Sequence, residues 1–313
     1  MTNQTAFGKI ITKRGINLGN ALEAPTPGEW DVEIQPRYFD VIRSAGFDTV
    51  RIPVRFSVHT SQEKPYRINP EFLAIVDRII NQGLKAGLSV ILDLHHFNAI
   101  MLDPAGQRER YLAIWEQLGE HFQQAPASLL FELLNEPNQK LDGNTWSQLA
   151  KESIALIRRT NPQRKLLVGG ADYNSIAGLD QLQLSLDENL VAVFHYYEPF
   201  EFTHQGASWV AESQQWLGRT WKGSYEEEKM ITDQLDRAAR WSEQHKVPLV
   251  MDEFGSIAGI DADSRLRWTA FVARSAEERN IGWIYWEFCS NFKIYDCKNG
   301  LWDSELLKAL MPE

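Results

Sequence analysis

Eight short, nearly continuous apolar runs recur along this 313-residue chain, separated by stretches of helical period. The runs are Gly15–Leu18, Thr49–Ile52, Ser89–His95, Leu129–Glu132, Leu166–Gly169, Leu190–His195, Pro248–Glu253 and Ile281–Trp286. A strand apolar on consecutive residues must be covered on both faces, as in a parallel sheet flanked by helices. Between the runs, Pro36 and Pro70 stand where first helical turns should begin. Tyr111, Ile114, Trp115, Leu118 and Phe122 form a 3.6-residue stripe that predicts a helix over Arg110–Phe122. Asn144 is placed to cap the helix carrying Trp146, Leu149, Leu156 and Ile157, and further helices are expected over Ala262–Arg279 and Ser304–Leu310. Eight such units without a break in composition predict an α/β fold, a single-domain (β/α)8 TIM barrel over residues 1–313. A doubly wound open sheet is the competitor, weakened because no GxGxxG follows the first run.

A net charge of −10 argues against a nucleic-acid partner but not against a neutral one. No run of about 18 apolar residues suggests a membrane span. The opening stretch MTNQTAFGKIITKRG lacks the apolar segment of a secretory signal, which reads as a cytoplasmic protein or a secreted one with its signal removed. Two cysteines, Cys289 and Cys297, exclude a disulfide framework. Free thiols are the expectation, with one local bridge as the alternative, and no Cys/His pattern suggests a metal.

A barrel of this kind does its chemistry at the C-terminal ends of its strands. Those positions carry Asn20 and Glu23, Arg51, His95 and His96, Asn135 and Glu136, Asp172 and Tyr173, His195 to Tyr197, Glu253, and Trp286 and Glu287. Two strand-end glutamates, Glu136 and Glu253, suit glycoside hydrolysis, in which one carboxyl protonates the leaving oxygen while the other attacks the anomeric carbon or activates water. Their neighbours must push their pKa values apart. Arg51 and Tyr197 can hold one as a carboxylate, and Asn135 can donate to a sugar hydroxyl. Strand alternation puts Tyr197 in the cleft and Tyr196 in the packing. Trp30, Trp209, Trp216, Trp221 and Trp302 fall in loops or near element ends, where an indole can either cover a sugar face or brace a loop. His204 can border the cleft; His59 has no evident role; His121 and His245 sit near helix C-termini and read as structural.

Two other functions fit some of these residues. A metal-dependent hydrolase could use His95, His96, His195 and the glutamates, but alternation would send His95 and His96 to opposite faces. A binding barrel without turnover would not need both glutamates.

The segments RGINLGN, VRIPVRF, LDLHH, ELLNEPN, FHYYEPF, DEFG and WIYWEF, in this order, resemble glycoside hydrolase family 5 across essentially the whole chain. The likeness is nearest to its bacterial endo-β-1,4-glucanases, some of which also cleave β-mannan. That resemblance implies a monomeric, cofactor-free and metal-free retaining enzyme acting on a β-linked polysaccharide. Glu136 would be the general acid/base and Glu253 the nucleophile. Arg51, His95, Asn135, His195, Tyr197 and Trp286 match the family's other shared positions, and Asn20, Glu23, Pro53 and His96 match substrate contacts of its dual-specificity members.

Overall fold

The computed structural model describes residues 12–312 apart from Leu186. The opening stretch read for a signal lies largely outside the described residues. Eight parallel strands close into a barrel in sequential order, β1 (Arg14–Asn17), β2 (Thr49–Val54), β3 (Ser89–Leu94), β4 (Leu129–Glu132), β5 (Leu166–Gly169), β6 (Leu190–Tyr196), β7 (Leu249–Phe254) and β8 (Gly282–Tyr285). This is the single-domain (β/α)8 TIM barrel, and β1 pairs with β8 to complete it. A two-stranded hairpin, Tyr295–Asp296 with Leu301–Trp302, follows β8.

The helices start where local chemistry directs. Pro36 and Pro70 each open a helix, and Asn69 accepts from the backbone N–H groups of Glu71 and Phe72 at the second. The helix expected from Arg110 begins earlier, at Pro104, with Asp103 capping Gly106. Asn144 is not a cap. Asp142 accepts from Thr145 and the helix runs Gly143–Arg158, so Asn144 lies inside the first turn. The EEEK run starts the helix Tyr225–His245, whose Ser224 and Glu227 form a capping box.

Two separate apolar masses result. The larger lies between the strands and the helices, and its members include Phe131, Trp115, Met251, Phe254 and Trp268. The smaller fills the barrel interior with Ile91, Leu130, Leu167, Val191, Val193, Val250 and Ile284. Strands β3 to β8 thus send alternate residues to each mass, which is why their sequences read as continuously apolar. Two residues beyond this plug, the interior changes character. Ile91 is followed by Asp93, Leu130 by Glu132, Val193 by His195 and Val250 by Asp252.

Strand β7 departs from regular alternation. Phe194 of β6 faces Met251, but the next residue, His195, faces Glu253. Asp252 is therefore the extra residue of a bulge, and both Asp252 and Glu253 turn inward.

Candidate active site

Where the interior turns polar, one guanidinium organises the floor. Arg51 is fully buried, as are Asn17, Asp93, Glu132 and Asp252 around it. Its Nε and Nη2 clasp both oxygens of Glu132, at 2.6 and 2.8 Å. Nη1 donates to Glu253 Oε1 at 2.7 Å and to Asn17 Oδ1 at 3.0 Å. Nη2 also donates to Asn135 Oδ1 at 2.9 Å and lies 3.0 Å from Asp93 Oδ2. Such a planar fork can hold several carboxyl and amide oxygens at once, which a lysine could not.

Glu253 is buried between this cation and Tyr197, whose hydroxyl donates to Oε2 at 2.8 Å. Burial pushes its carboxyl up from the ordinary value, while His195, Arg51 and the Tyr197 hydrogen bond pull it down. Glu136 stands where the chain leaves β4 and turns. Its φ of 47° lies in the left-handed region, and Asn138 Nδ2 donates to its carbonyl oxygen at 2.8 Å. Burial raises its carboxyl to about 7 against the pull of Arg51. His195 Nδ1 lies 2.8 Å from Glu136 Oε1 and 3.5 Å from Glu253 Oε2. Burial lowers the imidazole to about 4, so it is neutral at pH 7.

Above this floor opens a cavity of about 1020 Å³. Asn20, Glu23, His95, His96, Asn135, Glu136, His195, Tyr197, Glu253 and Trp286 all line it. Arg51 does not; it acts from beneath, through Glu253 and Asn135. Glu23 accepts from the backbone N–H groups of Asn20 and Ala21, and burial raises its carboxyl to about 8. Trp286 lies parallel to His95, with ring centroids 5.8 Å apart, and Gly19 leaves room for it, since a Cβ there would sit 2.9 Å from the indole.

Several expectations change here. His95 and His96 do not diverge; both face the cavity, because β3 ends at Leu94 and the strand rule no longer applies. His204 also lines the cavity, stacked on Phe200. Of the five loop tryptophans, Trp30 and Trp209 reach the cavity. Trp221 packs on Phe271 and Trp302 on Phe47, while Trp216 meets the edge of Phe200. His59 stacks on Phe72, His121 bonds Asp77, and His245 stacks on Trp241, all structural contacts. The cysteines are not free. Cys289 and Cys297 are joined, 5.7 Å apart at Cα, because the backbone N–H groups of Ile294 and Tyr295 donate to the Phe288 carbonyl and fold the segment after β8 back on itself. The bridged segment supplies Ser290, Asn291 and Phe292 to the cavity wall.

Asn17, Asp93 and Asn174 are not singled out from sequence, and Glu132 and Asp252, which stand at the ends of their apolar runs, are given no role there. Period-2 counting from the interior apolar positions would have found Asp93, Glu132 and Asp252; nothing local marks Asn174. Donor atoms of Glu136, His195 and Glu253 lie within 4.8 Å of one another. Their partners are already present, with Arg51 and Tyr197 on Glu253 and His195 on Glu136, so the site is balanced by a guanidinium.

The profile of the family described as "Cellulase (glycosyl hydrolase family 5)" matches residues 10–292. The chain is 34% identical to Endoglucanase H of Acetivibrio thermocellus over 95% of its own length, but spans only 32% of that protein. It is 30% identical to Endoglucanase C of the same organism, covering 92% of this chain and 94% of that one. Among solved structures, Thermotoga maritima Cel5A in complex with cellobiose superposes with a TM-score of 0.94 at 42% identity, over 96% of this chain and 97% of that one. The cellulose synthase subunit Z of Clostridioides difficile gives 0.93 at 40% identity, over 96% and 99%. The chain is a glycoside hydrolase and belongs to the cellulase family, glycosyl hydrolase family 5.

Proposed function

We propose that the protein is a retaining endo-β-1,4-glucanase, with Glu136 as general acid/base and Glu253 as nucleophile. One observation carries the retaining reading: one oxygen of Glu136 lies within 4.8 Å of one oxygen of Glu253, and His195 Nδ1 reaches both carboxyls, at 2.8 and 3.5 Å. Retaining enzymes hold their carboxyls about 5–5.5 Å apart, whereas inverting enzymes leave about 6.5–9.5 Å for a water. The division of labour follows from the neighbours. Glu136, raised to about 7, holds a proton at mildly acidic pH. Glu253 has Arg51 and Tyr197 to stabilise its charge and lies at the cavity floor.

In the first step Glu136 protonates the glycosidic oxygen as Glu253 attacks the anomeric carbon, giving a glycosyl-enzyme. In the second, Glu136 takes a proton from water, which displaces Glu253 with net retention. Asn135, His95, Glu23 and Asn20 offer polar partners to the sugar hydroxyls, and Trp286 and Trp209 offer apolar faces. Action on β-mannan is a second reading, favoured by the solved complex of Thermotoga maritima Cel5A with mannotriose at 42% identity.

The test is reducing-end release from soluble mixed-linkage β-glucan, with Glu253→Ala alongside and mannan as the second substrate. Wild-type release, a loss on the order of 10⁴-fold or more in the variant, and partial rescue by azide with inverted product are expected. A wild-type product of inverted configuration would reject double displacement.

A further inference from the structure

The bulge in β7 places an extra acid under the paired glutamates, and no cation hydrogen-bonds to it. Asp252 is fully buried. It faces Arg51 from β2, Asp93 from β3, Glu132 from β4, His195 from β6 and Glu253 beside it on β7. Arg51 has five N–H donors. Glu132 takes two, Glu253 and Asn17 take those of Nη1, and Asn135 takes the remaining one. Asp252 Oδ2 is left 3.8 Å from Nε, and neither of its carboxyl oxygens has a hydrogen-bond partner among these groups. Asn17 Nδ2 donates to the backbone carbonyl of Asp252, not to its side chain. An ionised Asp252 would be an unpaired anion buried among three other acids that share one guanidinium, an arrangement a carboxyl avoids by keeping its proton. Beside its side chain stands a neutral acceptor, His195 Nε2, 3.5 Å from Oδ1.

We propose that Asp252 is a positioning residue, a neutral carboxylic acid that donates a hydrogen bond to His195 Nε2 and so keeps the imidazole hydrogen on Nδ1, aimed at Glu136. Asn174 supports the same tautomer. Its Nδ2, a donor 3.3 Å from Nε2, shares that atom's single lone pair with the Asp252 hydroxyl, and it occupies space that Gly169 leaves by having no side chain. Burial, then the charge of Glu132, drives the Asp252 carboxyl well above its ordinary range, in the same direction. The consequence falls on the first chemical step. When Glu136 gives its proton to the leaving oxygen, its new carboxylate meets an N–H already 2.8 Å away. With the other tautomer it would meet a lone pair, and Glu136 would release its proton less readily.

This inference rests on Glu136 being the acid/base, so the test includes readouts that need no turnover. Near neutral pH, the infrared difference spectrum of wild type minus Asp252→Asn should show the band of one protonated buried carboxyl, over and above those that Glu23, Asp93, Glu136 and Glu287 give in both proteins; the absence of that difference overturns the proposal. The 15N spectrum should show neutral His195 protonated on Nδ1. In kinetics, Asp252→Leu should lower kcat/KM on β-glucan about 10-fold or more, part of what general acid catalysis supplies. An aryl cellobioside with a good leaving group, which needs little protonation, should suffer much less. Asp252→Asn, which restores a donor, should recover most of the loss on β-glucan. A His195 protonated on Nε2, or Asp252→Asn as impaired as Asp252→Leu, overturns the proposal. Should Asp252→Leu not fold, the two spectra decide. A neutral Asp252 and an Nδ1–H in a protein that cleaves no β-glucan would reject the glucanase reading and leave the tautomer assignment standing.

Discussion

The lower and upper halves of the barrel interior share strands β3, β4, β6 and β7, two residues apart, and obey opposite rules. Below, seven aliphatic side chains fill the space with nothing that ionises. Above, four carboxyls share one arginine, and polar atoms of Asp93 and Asp252 have no partner. The plug contributes about 1.5–3 kcal/mol per buried aliphatic side chain. The polar layer makes no such gain, because the desolvation of its charges offsets much of their attraction. The contrast teaches that the barrel concentrates its stability beneath the site and its chemical strain within it, with a single step of alternation between them.

Arg51→Met should break the contrast most severely. It leaves several acids buried without a cation, an error of about 3–5 kcal/mol when one partner of a buried pair is lost, and it removes the charge beside Glu253. Chemical denaturation should show the lost stability, and residual activity per folded molecule should also collapse. Leu130→Ala in the plug should cost about 2–5 kcal/mol yet leave kcat nearly unchanged in the folded fraction. If the plug variant lost activity as steeply as the arginine variant, the two halves would not be separable.

The disulfide comes next. The bridge closes a short loop, worth about 2.5 kcal/mol by loop-closure entropy. Cys289→Ser with Cys297→Ser should lower Tm and raise KM, because Ser290, Asn291 and Phe292 sit between the two cysteines on the cavity wall. An unchanged KM would mean that the hairpin alone holds the wall.

The gentlest probe is pH. Glu23 is raised to about 8, and Asp93, Glu136 and Glu287 to about 7, all by burial. Folded protein therefore binds more of these protons than unfolded protein does, while the imidazoles of His95, His96, His195 and His204, lowered by burial, act in the opposite sense only below about 6.5, so stability should fall as pH rises from about 6.5 to about 8. A Tm that climbs across that interval would contradict the protonated upper layer. The basic limb of kcat/KM should fall near 7, where Glu136 loses its proton.

The barrel was legible because continuous apolar strands have few other homes. Most cavity residues were legible too, since strand ends are a defined place and Glu136, His195 and Glu253 stand there. What escaped depended on contacts across the barrel or on breaks in alternation. Asp252 stands next to Glu253, and a regular strand would have turned the two apart; only the pairing of β6 with β7 shows the bulge that brings both inward. His95 and His96 were legible as strand-end residues, but not their shared face, since β3 stops at Leu94 just before them. Asn174 and the cysteine pair depend on loop paths set by tertiary packing, which periodicity does not encode.

The bulge also has a meaning in genetic terms. Met251 and Phe254 both belong to the outer core, and Asp252 and Glu253 both face in. Loss of the single codon for Asp252 would restore an outward, inward, outward sequence with the glutamate still facing in. A lineage could therefore add or drop the extra acid without relocating its neighbour, and a deletion variant that keeps its fold but shifts its pH profile would display that step in the laboratory.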